Sequence, residues 1–133
     1  MSTTPHVLIV DDEEKKIASI INFLTSNELF TSEMIDEARY TALATKKFDA
    51  NRSTLRVIFI DWVIPREADG SGWLEASADF IWHVLSAKWN GILVPCSSDN
   101  NAFMLGIGCH ISLNWNDTSP LIARIRQLLA INP

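Results

Sequence analysis

The sequence predicts an α/β fold: a parallel five-stranded sheet with helices on both faces. Three observations predict it. Val7-Leu8-Ile9-Val10 and Val57-Ile58-Phe59-Ile60 are short, unbroken apolar runs rich in β-branched residues, as expected of strands buried on both faces. Segments with apolar residues at helical spacing lie between the strand-like runs. Finally, the first run stops abruptly at Asp11-Asp12-Glu13 and the second at Asp61, so both strands leave the core at an acidic edge.

Taken in order, Val7–Val10 reads as a buried strand, too short for a helix. Ile17, Ile20, Ile21 and Leu24 recur at helical spacing and predict a helix from about Glu14 to Thr25. Phe30 to Ile35 is a weak second strand, and Ala-rich Glu37 to Lys47 is helical by propensity. After Val57–Ile60, Pro65, Gly70 and Gly72 mark a loop. The next helix carries Leu74, Ser77, Ile81, Val84 and Leu85 on one face. Gly91 opens a fourth strand, Ile92-Leu93-Val94, where Pro95 would remove a ladder bond and force a bulge or an early end. Asp99-Asn100-Asn101 starts a short helix through Leu105, which Gly106 and Gly108 end. His110 to Leu113 reads as a fifth strand. Ser119-Pro120 suits an N-cap followed by proline at the first helical position. Leu121, Ile122, Ile125, Leu128 and Leu129 form the inward stripe of the last helix.

Right-handed crossovers and the chain length favour a flavodoxin-like, doubly wound strand order, 2-1-3-4-5. The first and third strands are then neighbours, and Asp11, Asp12 and Asp61 meet where ligands bind in such sheets, outside the carboxyl ends of the strands. Three carboxylates there suit a divalent cation that prefers oxygen ligands. Each Asp alone could equally cap the helix that follows it; two acidic strand ends in one short chain weaken that simpler reading.

At 133 residues and 47% hydrophobic composition, residues 1–133 read as a single domain with a sizeable core. The net charge of −5 and 11 scattered basic residues give no reason to expect nucleic-acid binding. The longest apolar run is too short to span a membrane. Met1 to His6 has no signal-peptide pattern, and with two cysteines the expected location is the reducing cytoplasm.

On these residues the chain resembles the response-regulator receiver domain of two-component signalling. HVLIVDDEE is similar to that family's first strand and acidic pair, and VIFIDWVIPREADG to its phosphoacceptor strand and loop, with proline four residues after the aspartate. The resemblance extends over essentially the whole chain. It implies that Asp61 accepts phosphate from a sensor histidine kinase or phosphotransfer protein. It also implies that Asp12, Asp61 and the Val63 carbonyl hold Mg²⁺, with Asp11 acting through water, and that an output protein or domain reads the state.

The second half departs from the family pattern, which has Ser or Thr after strand four, Lys after strand five and an aromatic residue inside strand five. Here strand four is followed by Pro95-Cys96-Ser97-Ser98, with Ser97 favoured at the hydroxyl position and Cys96 the alternative. Asn114 falls at the lysine position, Trp115 where a proline usually follows, and Ile111 at the aromatic position. The loop after Asp61 carries one extra residue before Gly70. The family's lysine would pair with the aspartate and later with a phosphoryl oxygen; Asn114 donates a hydrogen bond but brings no charge. The acidic half of the site is therefore expected to be present and the switching half weak or uncoupled.

Other residues take plainer readings. Cys96 and Cys109 fall at opposite edges of the sheet, beyond disulfide reach, and read as buried thiols. His6, His83 and His110 are too dispersed for a metal site. Trp62, Trp73 and Trp115 are expected near the site rim, where a partner-binding face competes with core packing as their explanation. Three function readings follow. The first, and favoured, is a non-enzymatic receiver module that acts by protein–protein interaction. The second is a phosphorylation-independent pseudo-receiver. The third is a small Mg²⁺-dependent phosphohydrolase with Asp61 as nucleophile. The last lacks a second general acid two residues on, where Val63 stands, and has no basic residue but Arg66 for a substrate phosphate.

Overall fold

Four parallel strands, in the order β2-β1-β3-β4, form the sheet of a computed structural model that describes residues 5–131. They are β1 (Val7–Val10), β2 (Ile35–Ala38), β3 (Val57–Ile60) and β4 (Ile92–Pro95). The helices are α1 (Glu14–Ser26), α2 (Thr41–Asn51), α3 (Ala76–Ser86), α4 (Asn101–Gly106) and α5 (Ser119–Ile131). No helix among the described residues is long and apolar enough to cross a membrane.

Period-two alternation divides each strand between two cores. Val7, Ile9, Val57, Phe59, Ile92 and Val94 face one side, packed with Ile17, Ile20 and Leu24 of α1 and Leu121 and Ile125 of α5. Leu8, Val10, Ile58, Ile60 and Leu93 face the other, against Phe48 of α2, Phe80, Ile81 and Val84 of α3, and Met104 of α4. This two-sided burial is why the strand sequences are unbroken apolar runs. The register sets the carboxyl ends level: Val10 pairs with Ala38 and with Ile60, and Ile60 with Pro95. Whatever follows β1, β3 and β4 therefore emerges along one edge.

Four sequence expectations need correction, three of them local. The second strand lies at Ile35–Ala38 rather than from Phe30, after a single 3₁₀ turn at Ser32–Met34. Leu29 and Phe30 are buried in the α1 core, their N–H groups on the Leu24 carbonyl, so this apolar pair closes α1. The strand itself reads Ile-Asp-Glu-Ala because it is a half-exposed edge. Asp36 and Glu37 thus belong to β2, and α2 begins only at Thr41, its first N–H groups taken by the Pro65 and Arg66 carbonyls. Leu74, expected on the inward face of α3, lies ahead of that helix and is 85% exposed; Phe80 takes the core position instead.

The fifth strand does not form; of the expected order 2-1-3-4-5, the first four strands stand. The cause lies in β4. Ile92 and Cys96 turn their N–H groups towards β3, onto the Arg56 and Ile60 carbonyls, so Leu93 and Pro95 face the fifth segment. Proline has no N–H to give. The Leu93 N–H goes to the His110 ring, 2.9 Å from Nδ1, rather than to a backbone carbonyl. Both donors that β4 could offer are gone. What remains is one-way: His110 and Leu113 donate to the Leu93 and Pro95 carbonyls at 2.9 and 3.0 Å. Segment 109–114 thus lies beside the sheet without entering its ladder, and Pro95 ends β4 as its residue type requires.

Candidate functional site

The acidic edge is built by the ladder itself. The Asp11 N–H donates to the Ala38 carbonyl at 3.1 Å and the Asp61 N–H to the Val10 carbonyl at 3.0 Å, so both backbones are fixed where the side chains turn out of the sheet. Asp11 is fully buried and Asp61 8% exposed, whereas Asp12 faces solvent. One carboxylate oxygen from each of Asp11, Asp12 and Asp61 lies within 4.8 Å of the others. The three aspartates singled out in the sequence are brought together.

Each buried acid is further constrained. Asp11 Oδ1 accepts the Glu13 N–H at 3.0 Å, and Asp61 Oδ1 accepts the Trp62 N–H at 2.9 Å. Between them sits a cation that the sequence analysis missed. Lys16 Nζ lies 3.0 Å from Asp11 Oδ2 and 3.1 Å from Asp61 Oδ1. Lys16 is in the first turn of α1, and helical side chains lean towards the N-terminus, which aims it back at the carboxyl edge. The available signal was a lysine opening the helix straight after the acidic pair. A cation there opposes the helix dipole and is best placed when it has carboxylate partners.

Burial raises the Asp61 carboxyl above its ordinary range; Lys16 opposes this and Asp11 adds to it. Burial also disfavours the Lys16 ammonium, but Cys96, Asp11 and Asp61 outweigh it and hold the amine above its usual value. Cys96 follows β4 level with Asp61, its N–H on the Ile60 carbonyl at 3.1 Å and its Sγ 3.9 Å from Asp11 Oδ2. Burial pushes that thiol well up, so at neutral pH it is an uncharged wall of the site.

The remaining candidates lie further out. Ser97 is buried, but its N–H binds Asn101 Oδ1 at 2.8 Å and its hydroxyl meets Asn100 Nδ2 at 3.5 Å; the side chain level with Asp61 is that of Cys96. Asn114 is exposed, and its Oδ1 accepts the Asn116 N–H at 3.0 Å in a local turn. Ile111 is half-buried against the α1–α5 core. Val63 is 56% exposed on the loop after Asp61. Trp62 meets Phe103 edge-on at 5.0 Å, and its carbonyl accepts the Ser77 hydroxyl at 2.8 Å. Trp115 stands edge-on to Phe23 of α1, 5.9 Å between ring centroids, while Trp73 and Trp82 are exposed. Cys96 and Cys109 are separate buried thiols. His83 pairs with Asp49 and His110 with Leu93, both away from the acids.

The residues present fit a hard divalent cation: three clustered carboxylates, two of them rigidly held, offer the oxygen donors that Mg²⁺ takes. The arrangement can hold a cation among carboxylates gathered at the carboxyl edge of the sheet.

No protein-family profile matches the sequence, and no curated protein does either. Solved structures do match. The receiver domain of a Francisella response regulator is 24% identical, with a TM-score of 0.61, over 97% of this chain and 99% of that one. The signal receiver domain of an HD domain-containing protein from Pseudomonas fluorescens is 16% identical at a TM-score of 0.66, over 96% of each chain. A CheX–CheY–BeF₃–Mg²⁺ complex from Borrelia burgdorferi matches at 17% identity and a TM-score of 0.64, over 92% of this chain and 87% of that one. The chain has the receiver-domain fold.

Proposed function

We propose that this chain is a receiver module of two-component signalling, taking a phosphoryl group on Asp61 and acting by protein–protein interaction. The observation that carries the reading is the placement of Asp61. It sits at the carboxyl edge with Oδ1 held by the Trp62 N–H and Lys16, and no hydrogen bond from the described residues falls on Oδ2. In the proposed step Oδ2 forms a new P–O bond. The P–N bond of a donor phosphohistidine breaks, and its electron pair returns to the imidazole. Asp12, Asp61 and the Val63 carbonyl would hold Mg²⁺ and Asp11 would act through water, as the receiver resemblance implies; the bound cation would offset charge on the acids and the transferring group.

The donor class, a sensor histidine kinase or phosphotransfer protein, is supported by the fold and by the acid cluster. Coupling of phosphorylation to output is proposed to be weak. Asn114 is engaged in its own turn, Ile111 offers no ring to reorient, and segment 109–114 is tied to β4 by bonds that Asp61 does not touch. A ligand shifts an equilibrium only by its differential affinity for the two states. Those same observations favour, as a second reading, a pseudo-receiver that binds its partner whether or not Asp61 is modified.

Incubation with Mg²⁺ and acetyl phosphate, followed by intact-mass measurement, tests the proposal. One phosphate should be added to the wild type and none to Asp61→Asn. An unmodified wild type would leave the pseudo-receiver reading standing. For coupling, partner affinity of beryllofluoride-treated protein should lie within tenfold of the untreated value, about 1.4 kcal/mol; a larger change would indicate a working switch.

A further inference from the structure

Lys16 is the only described cation with ion pairs to both buried acids of the site. Its side chain is 19% exposed, so it is neither a free surface lysine nor a distant counter-charge. Position 114, where the receiver resemblance implies the site's ammonium, is exposed and closed onto Asn116. Phosphoryl transfer places negative charge on the transferred group's oxygens, and a protein that stabilises it needs a positive group beside the acceptor. Among the described residues, the positive side chain touching Asp61 comes from the first turn of α1.

We propose that Lys16 supplies the positive charge for phosphoryl transfer to Asp61, in place of the lysine that the receiver pattern carries after strand five. The inference rests on the receiver reading above and deepens it. By holding Oδ1 together with the Trp62 N–H, Lys16 fixes the carboxylate plane and leaves Oδ2 to attack. As the P–O bond to Oδ2 forms, the donor's bond to phosphorus breaks and its electron pair leaves with the donor. The ammonium then lies beside the new acyl phosphate and can exchange its contact with Oδ1 for one with a phosphoryl oxygen. Asp11, the second partner of Lys16, acts as a positioning residue: its own plane is set by the Glu13 N–H, and it keeps the lysine turned inward.

The test uses the intact chain with Mg²⁺, acetyl phosphate as donor and beryllofluoride as phosphoryl mimic. Acetyl phosphate loses acetate, which carries the electron pair away. Lys16→Met and Lys16→Gln should each slow modification of Asp61 at least tenfold, read by intact mass. Both should also weaken beryllofluoride binding at least tenfold, read by ¹⁹F resonance or Trp62 fluorescence. Asn114→Ala should leave both readouts within twofold of the wild type. If Lys16→Met fails to melt cooperatively, Lys16→Gln, which keeps a hydrogen-bond donor but no charge, decides. Wild-type rates and beryllofluoride affinity in a folded Lys16→Gln would overturn the inference while leaving the receiver reading intact, and so would an Asn114→Ala loss as large as that of the lysine variants. A wild type that neither takes up phosphate nor binds beryllofluoride would overturn the receiver reading itself, and this inference with it.

Discussion

Replacing Asp12 with asparagine should make the protein more stable without Mg²⁺ and nearly blind to its addition. One oxygen from each of the three acids lies within 4.8 Å of the others. Two unit charges at that distance repel by about 3.5 kcal/mol at an effective dielectric of about 20. Lys16 offsets the charges of Asp11 and Asp61 but forms no ion pair with Asp12 among the described residues, so Asp12 adds repulsion that no ion pair offsets. Its exposure lets water and salt screen most of this, leaving a net relief of about 1 kcal/mol on neutralisation. For a domain of this size that is a rise in melting temperature of about 4 °C. The wild type, in contrast, should gain about 1.4 kcal/mol from Mg²⁺ supplied at tenfold its dissociation constant, a shift of about 5 °C. The assay is a pair of thermal melts for each protein, one in EDTA and one in Mg²⁺, with Trp62 fluorescence as a second report of binding. An Asp12→Asn protein that melts at or below the wild type in EDTA refutes the repulsion argument. Equal Mg²⁺ shifts in the two proteins refute the assignment of the cation to this cluster.

Two further predictions concern pH. Burial raises the Asp61 carboxyl against the opposing effect of Lys16, so the stability it contributes is full below the ordinary carboxylate value of about 4 and is lost as pH rises through its folded value. Without divalent cations, Asp61→Asn should therefore have a higher urea midpoint than the wild type at pH 7 and lose that advantage on acidification; a pH-independent difference refutes this. Burial, with Arg124 nearby, lowers the His110 pKa, and Nδ1 must stay unprotonated to accept the Leu93 N–H. That contribution is full above the ordinary histidine value of about 6.5 and is lost as pH falls through the lowered one. His110→Phe should cost about 1–3 kcal/mol at neutral pH by leaving that N–H unpaired and should flatten the wild type's loss of urea midpoint towards pH 5.

The sequence by itself determined β1, β3 and the meeting of Asp11, Asp12 and Asp61. Those features are local: an unbroken apolar run must be buried on both sides, and an acid directly after it must stand at the strand's end. Once two such strands are parallel neighbours, their acids have no other place to go. The same logic marked Pro95 as a bulge or an early end, and it is the last residue of β4, because a missing N–H is a property of the residue. What proline did to the strand beyond it was decided only by the tertiary structure. That effect depends on which residues of β4 face outward and on the His110 ring reaching the Leu93 N–H from 17 positions away. Phe30 read as the start of a weak strand reaching Ile35 because an apolar residue does not announce which core it joins; with Leu29 it closes α1 instead. Lys16 was illegible for a related reason. A lysine carries its charge at the end of a long flexible stem, so its position in the sequence does not fix its partners. Only the packing of α1 against the sheet brings Nζ between Asp11 and Asp61, where two buried carboxylates outweigh the loss of water.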